Sequence, residues 1–272
     1  MTDSEISESN NLFVEYIKYV VSQNTQHEIW ESDGLSVAWS FTDLTFCNAI
    51  LLSHPVRDIE DLEARIKKAV AYARKFVLPW ILLICEDWLP EEIRPQIPEI
   101  LSKYELFSPI QLTGMAADKL VPPVKTISNL ECLRSDNLEM MRTVGDICAA
   151  SFEAPSEYWY KFLGSRELWG NSLFASVGYV EGKAVSTAVT VAIADRLYLA
   201  LVGTLSEDRG KGYASATIRH SMAEAERVCG MRPTILHSTS VGVSAYKKLG
   251  YRPVASFLAC TFSSPESEAA IE

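Results

Sequence analysis

The stretch "LVGTLSEDRGKGYASATIRHSMAEAERVCG", Leu201 to Gly230, runs from apolar residues through two glycines flanking a lysine into a segment of helical periodicity. Leu201 to Thr204 read as the end of a strand. Between Lys211 and Cys229, the apolar residues Ile218, Met222, Ala225 and Cys229 recur at steps of three and four, the spacing of one buried helical face. A strand that hands over directly to a helix leaves the first-turn N–H groups unpaired and pointing outwards. The helix dipole adds partial positive charge at the same end, so the junction suits a phosphate group. Gly210 and Gly212 remove side chains that would obstruct close approach, and Lys211 adds a positive charge at the rim. An ordinary glycine turn before a helix has the same letters, so the surroundings must decide.

Upstream, "SLFASVGYVEGKAVSTAVTVAIADRLYLALVGT" splits at Glu181-Gly182-Lys183 and at Ala194-Asp195-Arg196 into a three-strand antiparallel meander. Before it, "LEMMRTVGDICAASF" and "SEYWYKFLGSRELWG" read as two helices. After the glycine-led helix come a strand, "TILHSTS", a short helix, "VSAYKKLGY", capped at Gly250, and a closing strand, "RPVASFLACTF".

With that order in place, Arg209, Gly212 and Ala214 match the signature of the GCN5-related N-acetyltransferase superfamily: Arg or Gln, two residues, Gly, one residue, then Gly or Ala. "SAYKKLGYRPV" resembles the same family's segment in which a tyrosine and a later Gly-aromatic pair close the cofactor site. The resemblance covers roughly residues 126 to 262. Where the family often has Asn seven residues before the tyrosine and Ala four before it, this chain has Thr239 and Gly242.

The resemblance implies an α/β (α+β) fold of the GNAT type, a mixed, mostly antiparallel twisted sheet flanked by helices. It implies acetyl-CoA as cofactor. The pyrophosphate would lie on Arg209, Gly210, Lys211, Gly212, Tyr213 and Ala214, and the pantetheine arm would pair with the backbone of Ala200, Leu201, Val202, Gly203 and Thr204. An N–H there would polarise the thioester carbonyl. Thr239 and Tyr246 complete the implied cofactor contacts. Tyr246 is also the implied general acid for the leaving thiolate, against the plainer reading of a core tyrosine under the last strand.

Direct attack by a neutral amine requires only a base besides that acid. Glu153 and Glu157, in the connection between the two helices that commonly overhangs the acceptor in this superfamily, are candidates. His237 is another, having a suitable unperturbed pKa. Each has a bland alternative, as a solvated loop acid or a structural histidine. Tyr158, Trp159 and Tyr160 offer an aromatic wall for an acceptor, or simple helix packing.

The first half has a related order without the glycines. Moved back by 153 positions, the second half lays "TFCNAILL" under "LYLALVGT", "DIEDLEARIKK" under the glycine-led helix and "WILLICED" under "TILHSTS". In place of the phosphate loop stands Val56-Arg57-Asp58-Ile59-Glu60-Asp61, with three carboxylates at the helix start. Those carboxylates suit the dipole and repel phosphate. The adjacent prolines of "VPPVKT" mark the boundary. Residues 1–123 are therefore expected to form a smaller, degenerate GNAT-like domain, and 124–272 the catalytic domain; coincidental likeness of two α/β halves is the alternative.

Composition narrows the remaining choices. The chain has 272 residues, 48% hydrophobic and 22% charged, with a formal charge of −10 and a pI near 5.0. That balance argues against nucleic acid as a partner. Six scattered cysteines without a CxxC pair signal neither a disulfide framework nor a metal site. No apolar run is long enough to span a membrane, and the first residues, "MTDSEISESNN", are acidic where a signal peptide would be basic. The expected location is the cytoplasm. Both this tail and "SSPESEAAIE" have disordered composition. The expected partner is a small-molecule amine, with a homodimer left open. The rival readings are a protein or peptide amine as acceptor, and a non-catalytic acyl-CoA-binding sensor.

Overall fold

The computed structural model describes residues 2–124, 126–164 and 172–262. The end of the second predicted helix and the closing tail lie outside these residues. Of the rest, 2–114, 238–241 and 253–262 cluster into one compact unit, and 115–237 with 242–252 into another, residues outside the described ranges excepted.

In the first unit the amino-terminal segment is helix rather than a disordered tail: α1 is Asp3–Ser22. Thr2 accepts a hydrogen bond from the Glu5 N–H at 3.3 Å while the Glu5 carboxylate accepts one from the Thr2 N–H at 3.0 Å. This reciprocal cap, invisible to composition, satisfies two orphan donors. Burial of Ile6, Asn10 and Phe13 then fixes the helix, and the Asn10 amide donates to the Leu52 carbonyl at 2.9 Å. Strands β1 (Glu28–Ser32) and β2 (Leu35–Trp39) form a hairpin across Asp33 and Gly34, both at positive φ. β3 (Asn48–Leu52) pairs antiparallel with β2. Helix α2 (Ile59–Ala73) then crosses to β4 (Ile81–Cys85), parallel to β3. After α3 (Ile97–Ser102), β5 runs Leu106–Ala117, of which Leu106 to Gly114 belong here. The carboxy-terminal strand β11 (Arg252–Phe262) pairs antiparallel with β4, and Phe257 meets Phe13 edge to face.

The second unit starts within β5, whose Met115 and Ala117 are buried in its core. The short, half-exposed edge strand β6 (Glu131–Arg134) has no counterpart in the sequence reading. Helices α4 (Leu138–Phe152) and α5 (Ser156–Leu163) follow, then β7 (Leu173–Val180), β8 (Lys183–Ile193) and β9 (Arg196–Thr204). Glu181 and Gly182, both at positive φ, turn the first hairpin of this meander where turn chemistry predicts it. Next come α6 (Tyr213–Cys229), β10 (Thr234–Thr239) and α7 (Ser240–Leu249). The strand order is β6-β7-β8-β9-β10, antiparallel except for β9 and β10. The sheet is mixed and mostly antiparallel, with helices packed on it.

Two sets of contacts place α4 and α6 on opposite faces of β9. Leu197 and Leu199 share a core cluster with Ile218, Met222 and Ala225 of α6. A Cβ on Gly203 would lie 2.7 Å from Ser151 Oγ and 3.1 Å from Ile147 of α4, so only a glycine lets that helix pack directly on the strand.

Candidate functional site

The site begins where β9 departs from regular alternation. Leu197 and Leu199 face α6, yet the next residue in that cluster is Val202. The ladder with β8 records the reason: Val189 pairs with Ala200 but Thr187 with Gly203, so β9 carries a bulge at Leu201 and Val202. Leu201 takes φ 47°, a left-handed conformation costly for a branched side chain. The bulge flips the strand's facing by one residue and turns backbone groups out of the ladder.

On its other side β9 pairs with β10 only at Leu197 with Thr234 and Tyr198 with Ile235. From Leu199 onwards that edge has no strand partner among the described residues. Open N–H and C=O groups along Leu199 to Gly203 are what an amide-bearing chain needs in order to add as a further strand. At the vertex of this divergence, Tyr198 Oη and His237 Nδ1 are 2.8 Å apart, with the two rings stacked at 5.7 Å.

The glycine loop continues from the open edge. A 3-10 turn, Ser206–Asp208, follows β9, and Arg209 Nε donates to the Thr204 carbonyl at 3.1 Å, pinning the turn back on the strand. Gly210 and Gly212 have φ of 76° and 89°, which explains why both are glycine. Around Gly210 a Cβ would meet nothing within 4 Å, so the space in front of the loop is open. Gly212 occupies the N-cap position with no side-chain cap, and the first helical bond is Ala216 N–H to the Gly212 carbonyl at 3.2 Å. The donors of Tyr213, Ala214 and Ser215 are thus left without a capping side chain. Lys211 is not a free cation at the rim: its ammonium is 2.7 Å from the buried Asp208 carboxylate, which Lys183 also approaches at 3.7 Å. Lys211 therefore stiffens the loop as much as it charges it.

Tyr246, on α7, is half-buried against the same cluster that Val202 borders, and it meets Tyr251 edge to face at 5.9 Å. Its hydroxyl makes no hydrogen bond to a described residue, and burial pushes its pKa up to about 12. Burial lowers His237 to about 3, so this imidazole is neutral and weakly basic. Glu153 ends α4 in a left-handed conformation, φ 53°, two residues beyond Ser151, which with Ile147 packs on Gly203. Glu157 is exposed in the first turn of α5. Trp159 is buried and stacked on the half-exposed Phe152 at 5.6 Å, and Tyr160 donates to Asp146, so these side chains are partly committed to helix packing. Thr239 lies at the exposed end of β10 and clusters with the first unit.

Besides the bulge, three features of the site escape the sequence reading. The Tyr198 partner of His237 and the Asp208 lock on Lys211 need tertiary geometry to be seen. The third is Ser151, whose buried hydroxyl has no partner; small residues at 151 and 203 are its only sequence trace.

The corresponding junction in the first unit is built differently. Asp58 caps α2, accepting from the Asp61 N–H at 2.8 Å. Arg65, 7% exposed, donates to the carbonyls of His54 at 2.7 Å and Pro55 at 3.0 Å and pairs with Asp61 at 2.7 Å. The carbonyls of the loop point at the chain's own guanidinium, and its helix start is already capped. β3 and β4 stay paired at Ala49, Ile50 and Leu51.

No protein-family model matches the sequence, and no curated protein matches it either. Solved structures do. A GCN5-related N-acetyltransferase from Kribbella flavida aligns with a TM-score of 0.69 at 17% identity, covering 96% of this chain and 98% of that one. A GCN5-related N-acetyltransferase from Sphaerobacter thermophilus aligns at 0.58 and 13% identity, covering 78% and 71%. A functionally unknown conserved protein from Staphylococcus epidermidis aligns at 0.57 and 12%, covering 86% and 93%. The chain has the fold of the GCN5-related N-acetyltransferases.

Proposed function

We propose that this chain, with its GNAT fold, is an acetyl-CoA-dependent N-acetyltransferase that acetylates a primary amine of a small molecule by direct attack. The observation that carries this reading is the continuity of three features in the second unit: a bulged strand, its open edge, and an uncapped helix start behind two positive-φ glycines. A pantetheine arm has amides to pair with the open edge of β9, and a pyrophosphate matches the bare N–H groups of Tyr213, Ala214 and Ser215. The residues present therefore fit acetyl-CoA, which when bound supplies an activated acetyl thioester.

The chain's own groups have separate tasks. The bulge at Leu201 and Val202 presents backbone donors that do not reorganise during reaction, the arrangement that favours a developing oxyanion. Tyr246 holds a proton on its phenolic oxygen throughout the physiological range and can give it to a leaving thiolate. Glu153, exposed at the end of α4, is better suited than His237 to draw a proton from an incoming ammonium through solvent, because burial has already weakened the imidazole as a base. Phe152 and Trp159 beside it offer a flat apolar wall of a size suited to a small acceptor.

The deciding experiment is calorimetric titration with acetyl-CoA, followed by thiol-release assays over amine metabolites and peptides. Micromolar cofactor binding with turnover on a small amine is expected. Absence of cofactor binding would remove the reading, and turnover confined to peptides would move the acceptor to the protein class.

The first unit is proposed not to hold CoA. Its helix start is capped by Asp58 and its loop carbonyls are occupied by Arg65. A decayed sister copy explains both that chemistry and its similar strand-helix-strand order.

A further inference from the structure

Ser151 carries a hydroxyl that has no task in a chemistry of one acid, one base and backbone donors. Hydroxyls elsewhere in the helices of this unit settle on the carbonyl four residues back: Thr143 of α4 donates to Glu139 at 3.2 Å, and Thr217 of α6 to Tyr213 at 3.0 Å. Ser151 does not. Its Oγ is closed off from water and has no hydrogen-bond partner, the Ile147 carbonyl included. The strand beneath supplies none either. Ser151 Oγ sits against Gly203, where a Cβ would come within 2.7 Å, but the Gly203 carbonyl already accepts from Ser186 at 3.0 Å. A desolvated hydroxyl without a partner is a cost to the unliganded chain that a bound group would offset.

Its place says which group. Gly203 follows the bulge at Leu201 and Val202, on the edge of β9 that has no strand partner beyond Tyr198 among the described residues. Ser151 therefore stands over the point where the ladder releases its backbone donors, with the exposed Glu153 two residues further on. Sites for a developing oxyanion combine backbone N–H groups with side-chain donors such as a serine hydroxyl. The residue as a whole is only half-buried and has a single side-chain torsion, so turning Oγ from Gly203 towards that edge breaks no hydrogen bond.

We propose that Ser151 is a catalytic residue of this site, its hydroxyl turning to donate to the thioester carbonyl oxygen of bound acetyl-CoA beside the backbone donors of the bulge. This assignment rests on the acetyl-transfer reading of the second unit and adds a side-chain donor to it.

The test uses the full chain and acetyl-CoA isotopically labelled at its carbonyl carbon, without an acceptor, read by infrared difference spectroscopy. A hydrogen bond to a carbonyl lowers its stretching frequency. The labelled band should therefore lie at higher wavenumber in Ser151→Ala than in the wild type. Acetyl-CoA affinity should stay nearly constant, since the neutral carbonyl gains less from the donor than the transition state does. Ser151→Cys, close in size but a weak donor, should show the same displaced band. Melting of the unliganded chain gives a second readout: Ser151→Ala should leave the midpoint unchanged or raise it, because an unsatisfied hydroxyl is removed. With an accepted amine, kcat should fall about 10²–10³-fold. A band common to wild type and Ser151→Ala, or an unchanged kcat, overturns this assignment alone. A lowered melting midpoint, the mark of a serine already bonded in the unliganded chain, does so as well. Failure of acetyl-CoA to bind the wild type removes the acetyl-transfer reading and this assignment with it. Should Ser151→Ala fail to fold, the band of Ser151→Cys decides.

Discussion

Tyr246 and His237 show how one physical term, burial, moves a phenol and an imidazole in opposite directions. Desolvation disfavours the charged form of each, so it keeps the phenol protonated and the imidazole neutral. A protonated phenol with no hydrogen-bond partner among the described residues has a proton to give. Tyr246→Phe should therefore lower kcat by about 10²–10⁴-fold while acetyl-CoA affinity stays nearly constant. Wild-type turnover in an assay limited by chemistry would make the tyrosine structural. For His237 the same term predicts a pH effect on stability instead of on rate. Its pKa in the fold lies below the value near 6.5 of the unfolded chain. The unfolded state takes up a proton that the folded state does not, so stability from this group is present above pH 6.5 and is lost as pH falls towards 3. Urea midpoints measured from pH 7 to pH 4 should fall, and His237→Asn should flatten part of that fall. A rate profile with a limb near pH 6.5 that vanishes in His237→Asn would instead restore the imidazole as base.

At the scale of the element, the junction from β9 to α6 was the most legible feature of the chain. The residue types are dictated by local backbone requirements: positive φ at Gly210 and Gly212, and three-four periodicity at Ile218, Met222 and Ala225. The bulge was not legible, because Leu201 is an ordinary strand residue whose left-handed φ comes from its pairing with β8. Nor was the edge strand β6, too short and too exposed to show a period. Composition misreads only the first turns of the amino-terminal helix, Asp3 to Asn11, as a tail, although the capping box, Thr2 with Glu5, stands in the sequence. The junction also yields a substitution that separates binding from folding. Ala214 lies in the first turn of α6, where a carboxylate interacts favourably with the dipole by about 0.3–1 kcal/mol but occupies the anion position. Ala214→Asp should leave the melting temperature unchanged or slightly raised and abolish acetyl-CoA binding. Retained affinity in a folded variant would show that the cofactor phosphates lie elsewhere.

At the scale of the whole molecule, the compact units do not follow the chain in two simple halves, and this bears on what can be removed. The core of the second unit contains Met115 and Ala117, with Leu120 packed against it, and the Val121 N–H donates to the Leu249 carbonyl at 2.9 Å. A chain begun at Val124 loses all of these. Met115 is fully buried, and deleting a buried side chain of that size costs about 2–5 kcal/mol, a large share of a domain's net stability. In the same truncation β11 loses β4, the strand it pairs with from Phe257 to Cys260. The fragment of residues 124–272 should therefore be insoluble or molten, with no cooperative thermal transition, whereas the full chain should bind one acetyl-CoA. A second equivalent bound near Val56 to Asp61 would contradict the chemistry of a loop whose carbonyls already hold Arg65. A fragment that melts cooperatively and acetylates the true acceptor at full rate would show instead that the first 123 residues are dispensable to fold and function alike.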